Sequence, residues 1–150
     1  MEFDFLVPID NEIIDYKNHL SSQHIGGVMA LHTDDAFPDL SEVKIALVGV
    51  LENRGDEGVA TVVDLTSVRK SLYGLFMGNW KMGIADLGDI LAGNSTMDTY
   101  FAVKKVVASL IKKGIVPIVI GGSQDLTYAL YRAYDELEQM VNLVAIDNKF

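Results

Sequence analysis

Cysteine is absent, basic residues are few, no two histidines stand at metal-binding spacing, and no apolar run is long. Each shortage closes off a class of function. Without cysteine there is no disulfide, no thiolate zinc site and no cysteine nucleophile. A cysteine-free chain also fits a cytoplasmic location. Lys and Arg number 12 against 21 Asp and Glu, for a net charge of −9. An acidic chain without a basic stripe is a poor partner for nucleic acid or for an anionic membrane. No apolar stretch approaches the roughly 20 residues of a membrane span. The opening MEFDFLVPIDNE is acidic and lacks the basic region that begins a signal peptide. His19, His24 and His32 have neither an i,i+4 partner nor an HExxH context, so surface or partly packed histidines are expected rather than ligands.

What remains is an ordinary globular balance, with 49% hydrophobic and 22% charged residues in 150, enough for one compact core. Residues 1–42 are weakly patterned and read as an irregular or helical segment, in which Asp10 caps a short helix bearing Ile13, Ile14 and Tyr16. From residue 43 the pattern becomes regular. Short apolar runs predict strands near 44–51, 82–86, 115–120 and 142–146. Helical spacing predicts helices near 60–76, 96–113 and 125–139. Ser95 and Asp98 form a capping box, and Lys112, Lys113 and Gly114 form a stop. Pro117 weighs against a central position for its strand. Tyr73, Phe76, Met77, Trp80 and Met82 make an aromatic, sulfur-rich stretch suited to core packing or to a lid over the sheet edge.

Strands alternating with helices imply a parallel sheet with right-handed crossovers, layered α/β/α. The loops after the strands then share one edge, where open α/β sheets bind ligands. Those loops, ENRGDEG, DLGD, GGSQD and DNKF, gather Glu52, Arg54, Asp56, Asp86, Asp89, Ser123, Gln124, Asp125, Asp147 and Lys149. ENRGDEG is no phosphate cradle: it lacks GxxxxGK[ST], and its carboxylates repel phosphate.

The pairing of VPIVIGGSQDLTYAL with LVAIDNKF some twenty residues later resembles the ureohydrolases: arginase, agmatinase and formimidoylglutamase. That family carries a GGDHS-type turn after one strand and DxHxD after the next. KIALVGVLENRGDEG resembles its first core strand and Gly-rich loop, SVRKSLYGL its helix with Arg69 in place, and GIADLGDI its DxGD strand. The likeness covers residues 43–150, the length of the N-terminal half of a family member, and implies a three-layer arginase-like fold. For active members it implies two manganese ions and a bridging hydroxide that attacks an amidine or formimino carbon.

The sequence departs from the family at the ligands. Gln124 stands where the turn's His is expected and Ser123 where its acid is. Asp147 is retained, but Lys149 replaces the next His, and a protonated lysine offers no lone pair to a metal. The expectation is therefore a metal-free, inert segment. Lys149 would supply positive charge beside Asp147, and Asp86, Asp89, Ser123 and Asp125 would line a ligand edge. The alternatives are a manganese-dependent hydrolase in a longer parent, or a non-catalytic ligand-binding or assembly module. A chain stopping at Phe150, just after an apolar strand, reads as part of a longer protein that self-associates or pairs with a C-terminal half.

Overall fold

A computed structural model describes residues 3–55 and 64–146. The expectations placed on Asp56, Asp147 and Lys149 lie outside the described residues. The elements run β1 (Leu6–Val7), α1 (Asn11–Asn18), α2 (Ile25–Val28), β2 (Ala30–Leu31), β3 (Val43–Leu51) and α3 (Leu65–Tyr73). They continue with β4 (Gly83–Leu91), α4 (Thr96–Lys112), β5 (Val116–Ile120) and α5 (Leu126–Glu136).

The sheet runs β1-β4-β3-β5, with β2 also pairing β4. Among the described strands β1 alone is antiparallel to its neighbour. Alternation along β3 sorts the layers. Ala46, Val48 and Val50 pack with Val103, Val106 and Val107 of α4 and with Ala129 and Ala133 of α5. Leu47 points to the opposite face, among Ile13 of α1 and Tyr73 of α3. Helices thus cover both faces, the three-layer α/β/α arrangement expected from the alternating pattern.

Local signals are obeyed where adjacent residues carry them. Asp10 caps α1 by accepting from the Glu12 amide at 2.7 Å. Ser95 and Asp98 form the complete capping box of α4. α4 ends at Lys112, and Gly114 follows with φ +72°. Pro117 lies on β5, which has no outer neighbour among the described residues, a position where a missing donor is tolerated.

Three expectations are corrected. The run NLVAI is not a strand: residues 142–146 are irregular, and Leu143, Val144 and Ile146 are exposed. DLGD does not begin a loop, because β4 continues through it to Leu91. The aromatic stretch divides: Tyr73 is buried, whereas Phe76 and Trp80 are exposed near the starts of β3 and β4, at the edge opposite the GGSQD turn. The first 42 residues supply two short strands to the same sheet, β1 and β2.

Candidate functional site at the carboxyl edge of the sheet

β3 and β5 are parallel neighbours, so the loops that follow them meet. After β5 the chain turns through Gly121 and Gly122, both at φ near +80°, a conformation that only glycine adopts without strain. A Cβ on Gly122 would also lie 2.0 Å from Leu126 Cδ1. The turn brings the Ser123 amide onto the Glu52 carbonyl at 2.7 Å, and the Ser123 hydroxyl onto the same oxygen at 3.4 Å. Ser123 is buried, whereas Gln124 is exposed. Asp125 begins α5, and its Oδ2 accepts from the Tyr100 hydroxyl. Its Oδ1 has no hydrogen-bond partner among the described residues. The loop after β3 packs directly on it: a Cβ on Gly55 would sit 2.2 Å from the Asp125 carboxylate.

Glu52 is fully buried at the end of β3. Arg54 grips it with Nε at 2.9 Å and Nη2 at 2.6 Å, and its own amide adds a third bond at 3.0 Å. The Thr99 hydroxyl of α4 donates at 2.7 Å. The Arg54 hydrogen bonds hold the Glu52 carboxyl at about 2, below an ordinary 4.5, against burial, which favours the neutral acid. Arg54 reaches on to the carbonyls of Gly93 and Asn94, so the loop before α4 is tied to the end of β3.

Asp86 and Asp89 are brought together elsewhere, under α3. Strict alternation would put residues three apart on opposite faces. The register, however, passes from Leu47↔Asp86 to Gly49↔Asp89, so β4 carries one residue more than β3. That bulge, with Gly88 at φ +86°, resets the alternation and turns both carboxylates toward Arg69. Arg69 Nε donates to Asp86 Oδ2 at 2.8 Å and Nη2 to Oδ1 at 3.1 Å. Nη2 also lies 2.8 Å from Asp89 Oδ1 and donates to the Gly88 carbonyl at 3.2 Å. The Tyr73 hydroxyl and the Gly88 amide complete Asp86 with bonds of 2.8 and 3.1 Å. Burial works against the Arg69 charge, but bonding and attraction to Asp86 and Asp89 prevail and raise its pKa. Burial, followed by the Asp86 charge, raises the Tyr73 phenol far above its usual range, so it remains a neutral donor. Gly49 leaves the necessary space, since a Cβ there would meet Asp89 and Arg69 within 3 Å.

The carboxyl edge therefore gathers Glu52, Arg54, Ser123 and Asp125, while Asp86 and Asp89 sit in a closed ion cluster on the α3 side. Sequence reasoning missed Thr99 and Tyr100 as partners of these carboxylates. Thr99 shares the buried helical stripe of Val103 and Val107, and a hydroxyl in such a stripe needs a partner.

Manganese is the ion that the ureohydrolase resemblance implies, and the described residues do not fit it. No group of three or more His, Asp or Glu among them could hold a metal ion. The imidazoles are engaged far from the turn: His19 with the Asp15 carbonyl, His24 with the Ser21 hydroxyl and the Phe76 ring, His32 with the Leu87 carbonyl. The carboxylates of Glu52 and Asp86 are saturated by arginine and hydroxyl donors.

Comparison with known proteins agrees on the fold. No curated protein matches the chain. Seven chains of known structure match. One is the agmatine ureohydrolase of Thermoplasma volcanium, at 21% identity and a TM-score of 0.55. The match covers 80% of this chain and 41% of that one, so this chain spans well under half of that enzyme's length. At that identity the likeness concerns the fold alone. The sequence model of the arginase family matches residues 61–148, more than half of the chain, which runs through α3, β4, α4, β5 and α5. On that match the chain belongs to the arginase family.

Proposed function

We propose that this chain is an arginase-family α/β segment that holds no manganese of its own at the GGSQD turn and does not hydrolyse amidines. One observation carries the reading: the turn is built as a structural joint. Ser123 spends its amide and hydroxyl on the Glu52 carbonyl, and Gln124, at the position of the family histidine, points into solvent. Two-metal hydrolysis needs imidazole and carboxylate lone pairs converging on ions that lower the pKa of a bridging water. Here the nearest buried carboxylate is neutralised by Arg54. In this reading Lys149, which stands in the sequence where the family has its next His, brings a positive charge in place of a metal ligand. The cysteine-free composition suits the cytoplasm, and no helix among the described residues is long and apolar enough to cross a membrane.

Family membership favours a second reading, a manganese-dependent hydrolase of agmatine, arginine or formiminoglutamate in which Asp147 is a ligand. The two are separated by metal analysis of the protein after dialysis against manganese, together with assays of product release from those three substrates. The first reading expects less than about one ion per ten chains and no turnover. Near-stoichiometric manganese with turnover would establish the second.

A further inference from the structure

The edge opposite the GGSQD turn holds a cleft of about 750 Å³ that the proposed function does not use. Its walls come from residues 22–28 and 76–83, and its floor from the starts of β3 and β4. The walls are pinned to each other. The Ile25 amide donates to the Leu75 carbonyl and the Met77 amide to the Gln23 carbonyl, each at 2.8 Å. Between them His24 pairs with Phe76 as an antiparallel bridge, and the two rings stack at 4.7 Å. At the floor the backbones touch: a Cβ on Gly83 would lie 2.2 Å from the Glu42 carbonyl oxygen. A cleft held in this way is formed before any ligand arrives, so binding costs little in ordering its walls.

The lining is out of place on an acidic surface. Phe76 is 70% exposed and Trp80 68%. His24 covers one face of the Phe76 ring, whereas Trp80 has no ring partner among the described residues. Large aromatic side chains exposed together mark a contact surface. Beside them stand Lys44 and Lys81. Arg54, Arg69, Lys70, Lys104, Lys105 and Arg132 each meet a carboxylate. Lys44 and Lys81 meet none among the described residues, although the chain has 21 acidic residues against 12 basic. Glu42 is the one carboxylate lining the cleft among the described residues, and it is bonded to neither lysine. The cleft therefore carries a net positive charge on a chain of net −9.

We propose that this cleft binds a small molecule that joins a flat aromatic ring to a phosphate, the chemistry of a nucleoside monophosphate. The ring stacks on Trp80, with Phe76 as the second apolar wall. Lys44 and Lys81 hold the phosphate through charge-assisted hydrogen bonds. The side chains of Glu42, Gln23 and Asn79 have no hydrogen-bond partner among the described residues, and they serve the sugar hydroxyls and the polar edge of the ring. An uncharged ring would leave both ammonium groups without a role, and a bare phosphate would leave Trp80 in water. A nucleic acid strand is disfavoured, because the acidic chain repels every phosphate beyond those the two lysines neutralise. The cleft lies away from the GGSQD turn, so this inference does not rest on the proposed function.

Trp80 is the only tryptophan of the chain, so its fluorescence reports on the cleft alone. The full 150-residue protein is titrated with AMP and with GMP, and in parallel with the matching nucleosides and with ribose 5-phosphate. At least one nucleotide is expected to change Trp80 emission saturably, with half-saturation below about 1 mM. The nucleoside and ribose 5-phosphate, each lacking half of the ligand, should bind at least about tenfold more weakly. Lys44→Gln with Lys81→Gln should weaken the nucleotide at least about tenfold without moving the urea midpoint. Amide chemical-shift changes on binding should fall within residues 22–28, 42–44 and 76–83. No saturable change with either nucleotide up to about 5 mM would overturn the proposal. So would equal affinity for the nucleoside or for ribose 5-phosphate, undiminished binding by the double lysine variant, or shifts outside those residues. An emission maximum that moves with protein concentration in the absence of ligand would overturn it in favour of a second copy covering Trp80.

Discussion

Replacing Arg69 by methionine keeps the apolar stem and removes the cation that, among the described residues, pairs with Asp86 and Asp89. The side chain is 3% exposed and Asp86 is fully buried, so water cannot take over the lost role. Asp86 would keep two of its four donors, Tyr73 and the Gly88 amide, and lose both guanidinium bonds. Asp89 would lose its ion-pair partner at 2.8 Å. Breaking one side of a buried ion pair costs about 3–5 kcal/mol, chiefly because the partner charge is left uncompensated. Against a domain stability of about 5–15 kcal/mol that is a large fraction. Urea unfolding followed by far-ultraviolet circular dichroism reads it as a fall in midpoint at constant slope. If the cost is the stranded carboxylate, Arg69→Met combined with Asp86→Asn should be less damaging than the two losses added, by at least about 1 kcal/mol. Strict additivity, or a loss under about 1 kcal/mol for Arg69→Met alone, would refute the cluster as a cooperative unit.

Glu52→Gln should flatten the acid limb of stability. The folded carboxyl sits at about 2 against an ordinary 4.5, so its stabilisation is complete above pH 4.5 and is lost as pH falls toward 2. The full effect is about 3 kcal/mol at most; parallel pH–stability curves for the two proteins would refute it. Gly88→Ala forces a side chain into φ +86° with its Cβ 1.9 Å from the Val7 carbonyl. A loss of about 2–4 kcal/mol in urea unfolding is expected, with faster amide exchange in β1. Glu138→Gly relieves the left-handed residue that closes α5 and should raise the unfolding midpoint by the equivalent of about 1 kcal/mol. An unchanged or lowered midpoint would show that the residue is not strained.

The parts of this fold legible in the sequence are those carried by neighbours along the chain. A cap is made by residues three apart, as at Ser95 and Asp98. A helix stop needs one glycine, as at Gly114, and a buried strand needs a short apolar run, as in β3. Their physics is local, so the pattern shows it. The layered α/β/α order followed from the same signals, because the hand of the crossovers leaves few arrangements.

The ion clusters were not legible, because their partners are distant in sequence. Arg69 meets Asp86 across 17 positions and Thr99 meets Glu52 across 47. The bulge at Gly88 defeats alternation as well: counting by twos separates Asp86 from Asp89, and only the register against β3 reunites them. NLVAI shows the same limit from the other side. An apolar run gives a segment the composition of a strand, but the hydrogen bonds of a sheet belong to two chains of residues at once, and in this structure the second is out of reach. Ser123 is settled by the same kind of contact. Its letter suggests a polar site residue, and the approach of β3 to the β5 turn makes it a buried joint.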